Sequence, residues 1–385
     1  MTNTPMDAAS GRTNVTYVSM DPLTSTVGSS QVLAYVERLA SRGVDVDLVT
    51  FEHGVDVLLR QRLGDLGVSW RPKRFGRPGP VGGIGRVLRA AWAIRDATLV
   101  HARSDLAAAA VMLSGVDDWV WDVRSLWVDQ KVASGVIPKG SWSERVMTWV
   151  ECQAAHRSTA VVTLTASAVA ELDRRYGGVV SPKARVITTC VDLDKFYISP
   201  MPPMPLRVLL SGTLNRYYDV KSMLDLIIEL RSRRPVEFVL ASPGEIEWEE
   251  ELAGVEVVRI SVAANEMADL VATCHLGLSV CRDDAGVSLL AAMPTKIGEF
   301  LASGRPVVVN QGLIDAVDLL EHHECGMAYG SSSPFGVGEA VDQLELILGD
   351  SELPGRCRSL AESHFNLDRG VEGLIVTLES ICMNR

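Results

Sequence analysis

The stretch Tyr197–Leu214 reads "YISPMPPMPLRVLLSGTL". Four prolines in its first nine residues make a stiff connector. The run that follows, "LRVLLSGTL" (206–214), is a buried strand entering a glycine loop, and "VKSMLDLIIELRSR" (220–233) continues it as a helix. The same plan opens the chain. "NVTYVSM" (14–20) is β-rich, the loop ends in "TVGSS" (26–30), and "QVLAYVERLASRG" sets Val32, Tyr35, Val36 and Leu39 at helical spacing.

Between these two starts, "VDVDLVTF", "ATLVHAR", "DWVWDVRSL" and "TAVVTLT" alternate with helical or loop segments. After the second start, "VEFVLAS", "HLGLSVC" and "RPVVVN" supply further buried strands. Such alternation predicts parallel sheets wound with helices. The predicted fold class is therefore α/β, with two doubly wound Rossmann-like domains facing an interdomain cleft. The expected division is a loose tail 1–13, a first domain 14–196, the linker 197–205, a second domain 206–365, and a C-terminal helix 366–385 packing back on the first.

A chain of 385 residues accommodates two such domains. Its formal charge, 37 − 48 = −11, argues against a general nucleic-acid binder. Seven scattered cysteines show no C-x-x-C and no ligand-like spacing with histidine, which predicts reduced thiols and a cytoplasmic setting. The opening "MTNTPMDAASGRT" has no apolar run of the signal-peptide kind, and no stretch approaches the roughly 20 apolar residues of a membrane span.

"MPTKIGEFLASGRPVVVN" (293–310) carries the chemistry. Pro294 suits a first helical turn and Gly304 the position just past its end. Ile297, Phe300 and Leu301 share one face, leaving Thr295, Lys296, Glu299 and Ser303 on another. Free N–H groups at a helix start favour an anion, and Lys296 adds a full charge. One turn deeper, the Glu299 carboxylate can accept two hydrogen bonds, which suits the vicinal hydroxyls of a ribose. Phosphate above ribose describes a nucleotide. The competing reading is an exposed Lys–Glu pair worth a few tenths of a kcal/mol.

This segment closely resembles the donor-binding segment of the GT-B glycosyltransferases of family 4. The likeness runs in order through "TVGSSQVLAYVERLASRGVDVDLVTF", "LVHARSD", "VWDVRSLWVDQKV", "VVTLTASAVAEL", "VITTCVDLDKF" and "LLSGTL". It implies metal-independent transfer of a hexose-type sugar, with retention, from a nucleotide diphosphate to a hydroxyl acceptor: a glycan, a lipid-linked glycan or a small natural product. UDP is the first choice of carrier, GDP and dTDP the alternatives, and no bound cofactor is implied. By the resemblance, Glu299 matches the ribose-binding glutamate, with Thr295 and Lys296 beside it, and Gly28, Ser29 and Gly212 become contacts to the donor or acceptor.

Two departures stand out. The first glutamate of the family pattern, eight residues before Glu299, is Ala291 here. In place of the usual arginine and lysine after the glycine loop, "GTLNRYYDVK" (212–221) offers Arg216 and Lys221 as approximate substitutes, with Arg282 and Lys296 as further sources of charge.

In "WVWDVRSLWVDQ" (119–130), Asp122 and Arg124 are two apart and point to one side of a strand. They are read as facing the reacting sugar, with Trp127, Asp129 and His101 toward the acceptor; a structural ion pair is the alternative. The D-x-D pairs in "VDVDL" and "VDLDK" lack metal-site context, so no metal is expected. "GGIG" (82–85) reads as a loop before a helix.

"RPKRFGRPGPVGGIGRVLRAAWAIR" (71–95) holds seven basic residues and no acid. It reads as a solvated face, or as a contact with anionic membrane or a phosphorylated acceptor in which Trp92 is an interfacial anchor. Two other functions stay open: a nucleotide-sugar epimerase of the same fold, and a non-catalytic nucleotide-sugar-binding protein.

Overall fold

The computed structural model describes residues 13–213, 217–242, 244, 249–263 and 266–383. Thirteen strands follow in chain order among them: β1 Asn14–Ser19, β2 Asp45–Glu52, β3 Ser69–Arg74, β4 Val100–Arg103, β5 Trp119–Val123, β6 Ala160–Thr163, β7 Ala184–Val186, β8 Leu206–Ser211, β9 Val236–Ala241, β10 Val258–Ile260, β11 Leu276–Ser279, β12 Val307–Val309 and β13 Gly326–Ala328. They form two sheets, one in the order β3-β2-β1-β4-β5-β6-β7 and the other β10-β9-β8-β11-β12-β13. Both are parallel sheets flanked by helices, as the strand–helix alternation predicts.

The second sheet shows why its strands read as continuous apolar runs. Leu209, Val239, Val307 and Val309 enter one buried cluster, while Val208, Leu210, Leu240 and Val308 enter another. Alternate side chains point to opposite faces, and both faces are covered.

Packing density divides the chain into two compact units. Among the described residues, the first comprises 13–121, 158–160 and 371–383, and the second those within 122–157 and 161–370. The proline connector is fastened to the second. The fully buried Arg305 donates to the carbonyls of Ser199 (2.9 Å) and Pro200 (3.0 Å). His275 Nδ1 accepts from Arg207 N, which leaves its Nε2 to donate to Pro202 O at 2.9 Å. Burying a guanidinium is costly unless its donors find acceptors, and both terminal nitrogens of Arg305 do, so these carbonyls and that cation hold each other in place.

Several elements differ from the sequence reading. "SWRPKR" is a strand, β3, at the sheet edge. Pro72 is tolerated there because an edge strand leaves one row of N–H groups unused. The "GGIG" stretch lies inside the helix Gly79–Ile94 rather than before it. No helix among the described residues is long and apolar enough to cross a membrane.

Candidate functional site

The helix Thr295–Ala302 begins one residue later than expected, with Pro294 in the cap position and Gly304, at φ +76°, ending it. Ile297, Phe300 and Leu301 are fully buried as predicted. Phe300 lies flat against β11 because residue 277 is glycine. A Cβ there would sit 2.2 Å from the phenyl ring, so any side chain would push the helix off the sheet.

That packing sets where Lys296 and Glu299 stand. Lys296 is largely buried and does not pair with Glu299. Its Nζ donates to Tyr218 Oη at 2.6 Å and lies 4.5 Å from the centre of the Tyr218 ring. A Cβ added at Gly212, in the loop after β8, would come 3.7 Å from Nζ, so the glycine keeps the space beside the ammonium open. Glu299 is partly covered, and no hydrogen bond reaches its carboxylate among the described residues. Burial pushes its carboxyl up to about 7, against the opposing pull of Lys296. The surface-pair alternative does not describe these two residues.

β8 and β11 are neighbours at the point where the strand order of the second sheet reverses. Ligands of doubly wound sheets bind at such switch points, beyond the carboxyl ends of the strands. Here the chain after the glycine loop pairs with the chain after β11: Tyr218 bridges Cys281, Asp219 N donates to Val280 O, and Arg282 N donates to Tyr217 O. Tyr217 Oη meets Ser288 Oγ at 3.1 Å, and burial raises its phenol to about 12. Asp219 caps the helix Val220–Arg233 and also accepts from Ser331 N at 3.0 Å. Asp283 is buried enough to resist its charge. Hydrogen bonds from Asn310 (2.9 Å), Ser332 N (2.8 Å) and Ser331 Oγ (3.2 Å) outweigh that and hold its carboxyl below the usual range.

The other donor-side candidates differ in placement. Arg282 donates through Nε to Asp284 at 2.8 Å and is half exposed. Lys221 is exposed in the first turn of its helix. Thr295 is the first residue of the site helix. Arg216 lies outside the described residues.

On the first sheet, the helix after β1 starts at Thr26, earlier than predicted. Ser25 Oγ accepts from Gly28 N at 3.0 Å and does the capping, whereas Ser29 and Ser30 turn their hydroxyls back onto Thr26 O. Gly28 packs directly on the Pro22 carbonyl, where a Cβ would come within 1.9 Å. His101 is fully buried and stacked on Tyr17, ring centres 4.4 Å apart.

Asp122 and Arg124 form an ion pair at 2.9 Å, with Asp122 fully buried. Trp127 opens the helix Trp127–Ala133, which packs within the second unit against the segment Asp283–Ala291. Asp129 accepts from Arg175 at 2.8 Å, and the same guanidinium reaches Glu151 (3.1 Å) and Glu171 (2.7 Å). Asp129 is therefore tied to its own helix cluster. The sequence reading passed over Tyr218 and Asp21 and gave no role to Arg103 and Ser104, which lie with Asp21 at the switch point of the first sheet. There Arg103 reaches Asp21 at 3.4 Å, and Ser104 adopts φ 80°, ψ 169°, a conformation costly for any residue but glycine. Among the described residues, no cluster of His, Cys, Asp or Glu is arranged to hold a metal.

Residues 28–195 match the family model described as Glycosyltransferase Family 4. The fold is that of GT-B glycosyltransferases. Sucrose-phosphate synthase from Thermosynechococcus elongatus superposes with TM-score 0.71 at 14% identity, covering 97% of this chain and 100% of that one. A glycosyltransferase from Rickettsia africae does so with TM-score 0.68 at 12% identity, covering 97% and 100%. HepE from Anabaena, solved in complex with UDP, gives 0.66 at 16% identity, covering 95% and 100%. No curated protein sequence matches the chain.

Proposed function

We propose that this chain, a GT-B fold whose residues 28–195 carry the family 4 glycosyltransferase pattern, is a retaining hexosyltransferase using a nucleotide-diphosphate sugar, UDP first. The observation that carries the reading is the placement of Lys296 and Glu299 one turn apart on one helix at the switch point. The first is a buried ammonium beside an open glycine loop; the second is a carboxylate with no hydrogen-bond donor among the described residues. Diphosphate on Lys296 and ribose diol on Glu299 would complete both. The UDP held by HepE, a protein of the same fold, favours that carrier.

In this mechanism the leaving diphosphate is stabilised by the site-helix N-terminus and Lys296. The acceptor hydroxyl attacks the face that the diphosphate leaves and passes its proton to a phosphate oxygen. Asp122 and Arg124 face the sugar, with Trp127, Asp129 and His101 on the acceptor side. Arg282, Lys221, Arg216 and Thr295 are secondary donor contacts, and Gly28 and Ser29 lie near the phosphate or acceptor. The ion pair of Asp122 supports the front-face route, because a carboxylate closed on an arginine is a poor nucleophile. The deciding experiment is calorimetric titration with UDP, GDP, dTDP and their glucose conjugates, followed by product analysis. A glycosylated acceptor separates this reading from an epimerase. Absence of binding to every nucleotide would end it.

A membrane contact through residues 71–95 is the second part of the proposal. The helix Gly79–Ile94 leaves Val81, Ile84, Leu88 and Trp92 exposed at 76, 59, 57 and 66%. Their spacing of three, four and four aligns them on one face. Arg95 continues the line, its guanidinium 5.0 Å from the Trp92 ring. Arg71, Arg86 and Arg89 are engaged internally, which leaves Lys73, Arg74 and Arg77, with Arg95 paired to the exposed Asp96 at 3.3 Å, as the positive rim for anionic headgroups.

A further inference from the structure

We propose that Tyr218 is a diphosphate-binding residue, its hydroxyl donating to the same anion that Lys296 attracts. The inference rests on the nucleotide-sugar reading of this site and adds a ligand where Arg216 and Lys221 were expected to serve.

Hydrogen-bond bookkeeping at one oxygen starts the argument. A phenol carries one proton and two acceptor lone pairs. Lys296 Nζ, which only donates, occupies one lone pair of Tyr218 Oη at 2.6 Å. The phenolic proton must then point elsewhere, and no acceptor takes it among the described residues. An ammonium donating to the oxygen also polarises the O–H, making it a stronger donor. A polarised O–H and an N–H of the ammonium, less than a hydrogen-bond length apart, form a two-pronged donor for adjacent phosphate oxygens.

Backbone geometry holds that donor in place. Tyr218 is pinned by its bridge to Cys281, between Tyr217 O, which accepts from Arg282 N, and Asp219 N, which donates to Val280 O. Gly212 keeps the approach to Lys296 open, and the start of the site helix adds its own N–H groups on the same side. The arrangement thus sets a rigid phenol beside Lys296 as a further diphosphate donor.

A merely structural role makes the opposite prediction. If Tyr218 only satisfies Lys296, then Tyr218→Phe frees the ammonium, and diphosphate affinity stays level or rises. Under the proposal, the loss of a hydrogen bond to a charged group weakens binding about tenfold to a hundredfold.

The experiment is calorimetric titration of wild type, Tyr218→Phe, Lys296→Met and the double variant with UDP and with uridine, GDP and guanosine being run alongside. The expected result is a tenfold or greater loss of diphosphate affinity in Tyr218→Phe, with nucleoside affinity unchanged. In the Lys296→Met background the same change should cost less, because the polarising cation is gone. Unaltered diphosphate affinity in Tyr218→Phe, or equal losses for diphosphate and nucleoside, overturns the inference and leaves the nucleotide reading intact. A wild-type protein that binds no nucleotide removes both.

Discussion

Arg124 closes on Asp122 at 2.9 Å, and the carboxylate it meets is fully buried at the end of β5. Asp122 is in β5 and Arg124 is the first residue past its end, so the bend there turns the guanidinium back onto the carboxylate two residues earlier. A buried pair of this kind is weak evidence for stability but is destructive to break, at about 3–5 kcal/mol. Asp122→Asn and Arg124→Ala should therefore both lower the melting temperature. If the pair also faces the reacting sugar, turnover per folded molecule should fall at least tenfold, with nucleotide affinity within about twofold of wild type. Normal turnover in the folded fraction would leave the pair a structural one.

Glu299 gives a prediction in which stability and function oppose each other. Its carboxyl is raised from 4.5 to about 7 by burial. The unfolded chain releases this proton near pH 4.5, while the folded chain holds it until about 7. Stability should therefore fall as pH rises through that window and then level off. Partial exposure limits the effect to on the order of 2 kcal/mol. Glu299→Gln should remove the slope and raise the melting temperature at pH 8 while weakening the nucleotide sugar and the free nucleoside alike. Donor affinity of the wild type should fall below pH 7, because only the ionised carboxylate accepts both ribose hydroxyls. A nucleotide sugar is the right probe, since its diphosphate does not titrate in this range. A pH-independent affinity would remove Glu299 from the ribose site.

Chelation should leave transfer intact. Of the two D-x-D pairs, the first has Asp47 bound to Arg71 Nε at 2.7 Å, with Asp45 exposed on the same strand. In the second, Asp192 sits with Lys195 at 3.4 Å and Asp194 N caps back onto it at 3.3 Å. Neither offers converging carboxylates of the kind Mg²⁺ or Mn²⁺ needs. Transfer assays with excess EDTA are expected to match untreated enzyme. Activity restored only by added Mn²⁺ would contradict this.

The strand–helix alternation and the apolar face of the site helix could be read from the sequence because both follow from spacing along one element. Glu299 and Lys296 were visible for the same reason. Tyr218 was not, because its meaning comes from a lysine 78 positions away and a backbone bridge to Cys281. The ion pair of Asp129 was not legible either, because Arg175 is contributed by a different helix. β3 was hidden by Pro72 and three basic residues, which an edge strand accepts and a central one does not. The start of the first helix was placed too late, because Ser25, which caps it, lies upstream of the apolar residues that mark its periodicity.

The exposed line Val81, Ile84, Leu88 and Trp92 gives the last prediction. Scattered exposed apolar side chains are ordinary, but four on one face of one helix form a stripe that water does not favour. The positive rim chooses the occupant: zwitterionic lipid offers the apolar gain without the charge gain, whereas anionic lipid offers both. Wild-type protein should co-sediment with vesicles containing phosphatidylglycerol and much less with pure phosphatidylcholine, and high salt should release part of it. Ile84→Asp with Trp92→Asp should abolish sedimentation on both vesicle types, since they remove the apolar insertion. Arg77→Gln with Arg95→Gln should erase only the difference between the two lipids. All four residues are exposed, so melting temperatures should stay near wild type and soluble-acceptor turnover should be unaffected. Equal sedimentation of wild type and the Asp variant would show that this helix is not the contact.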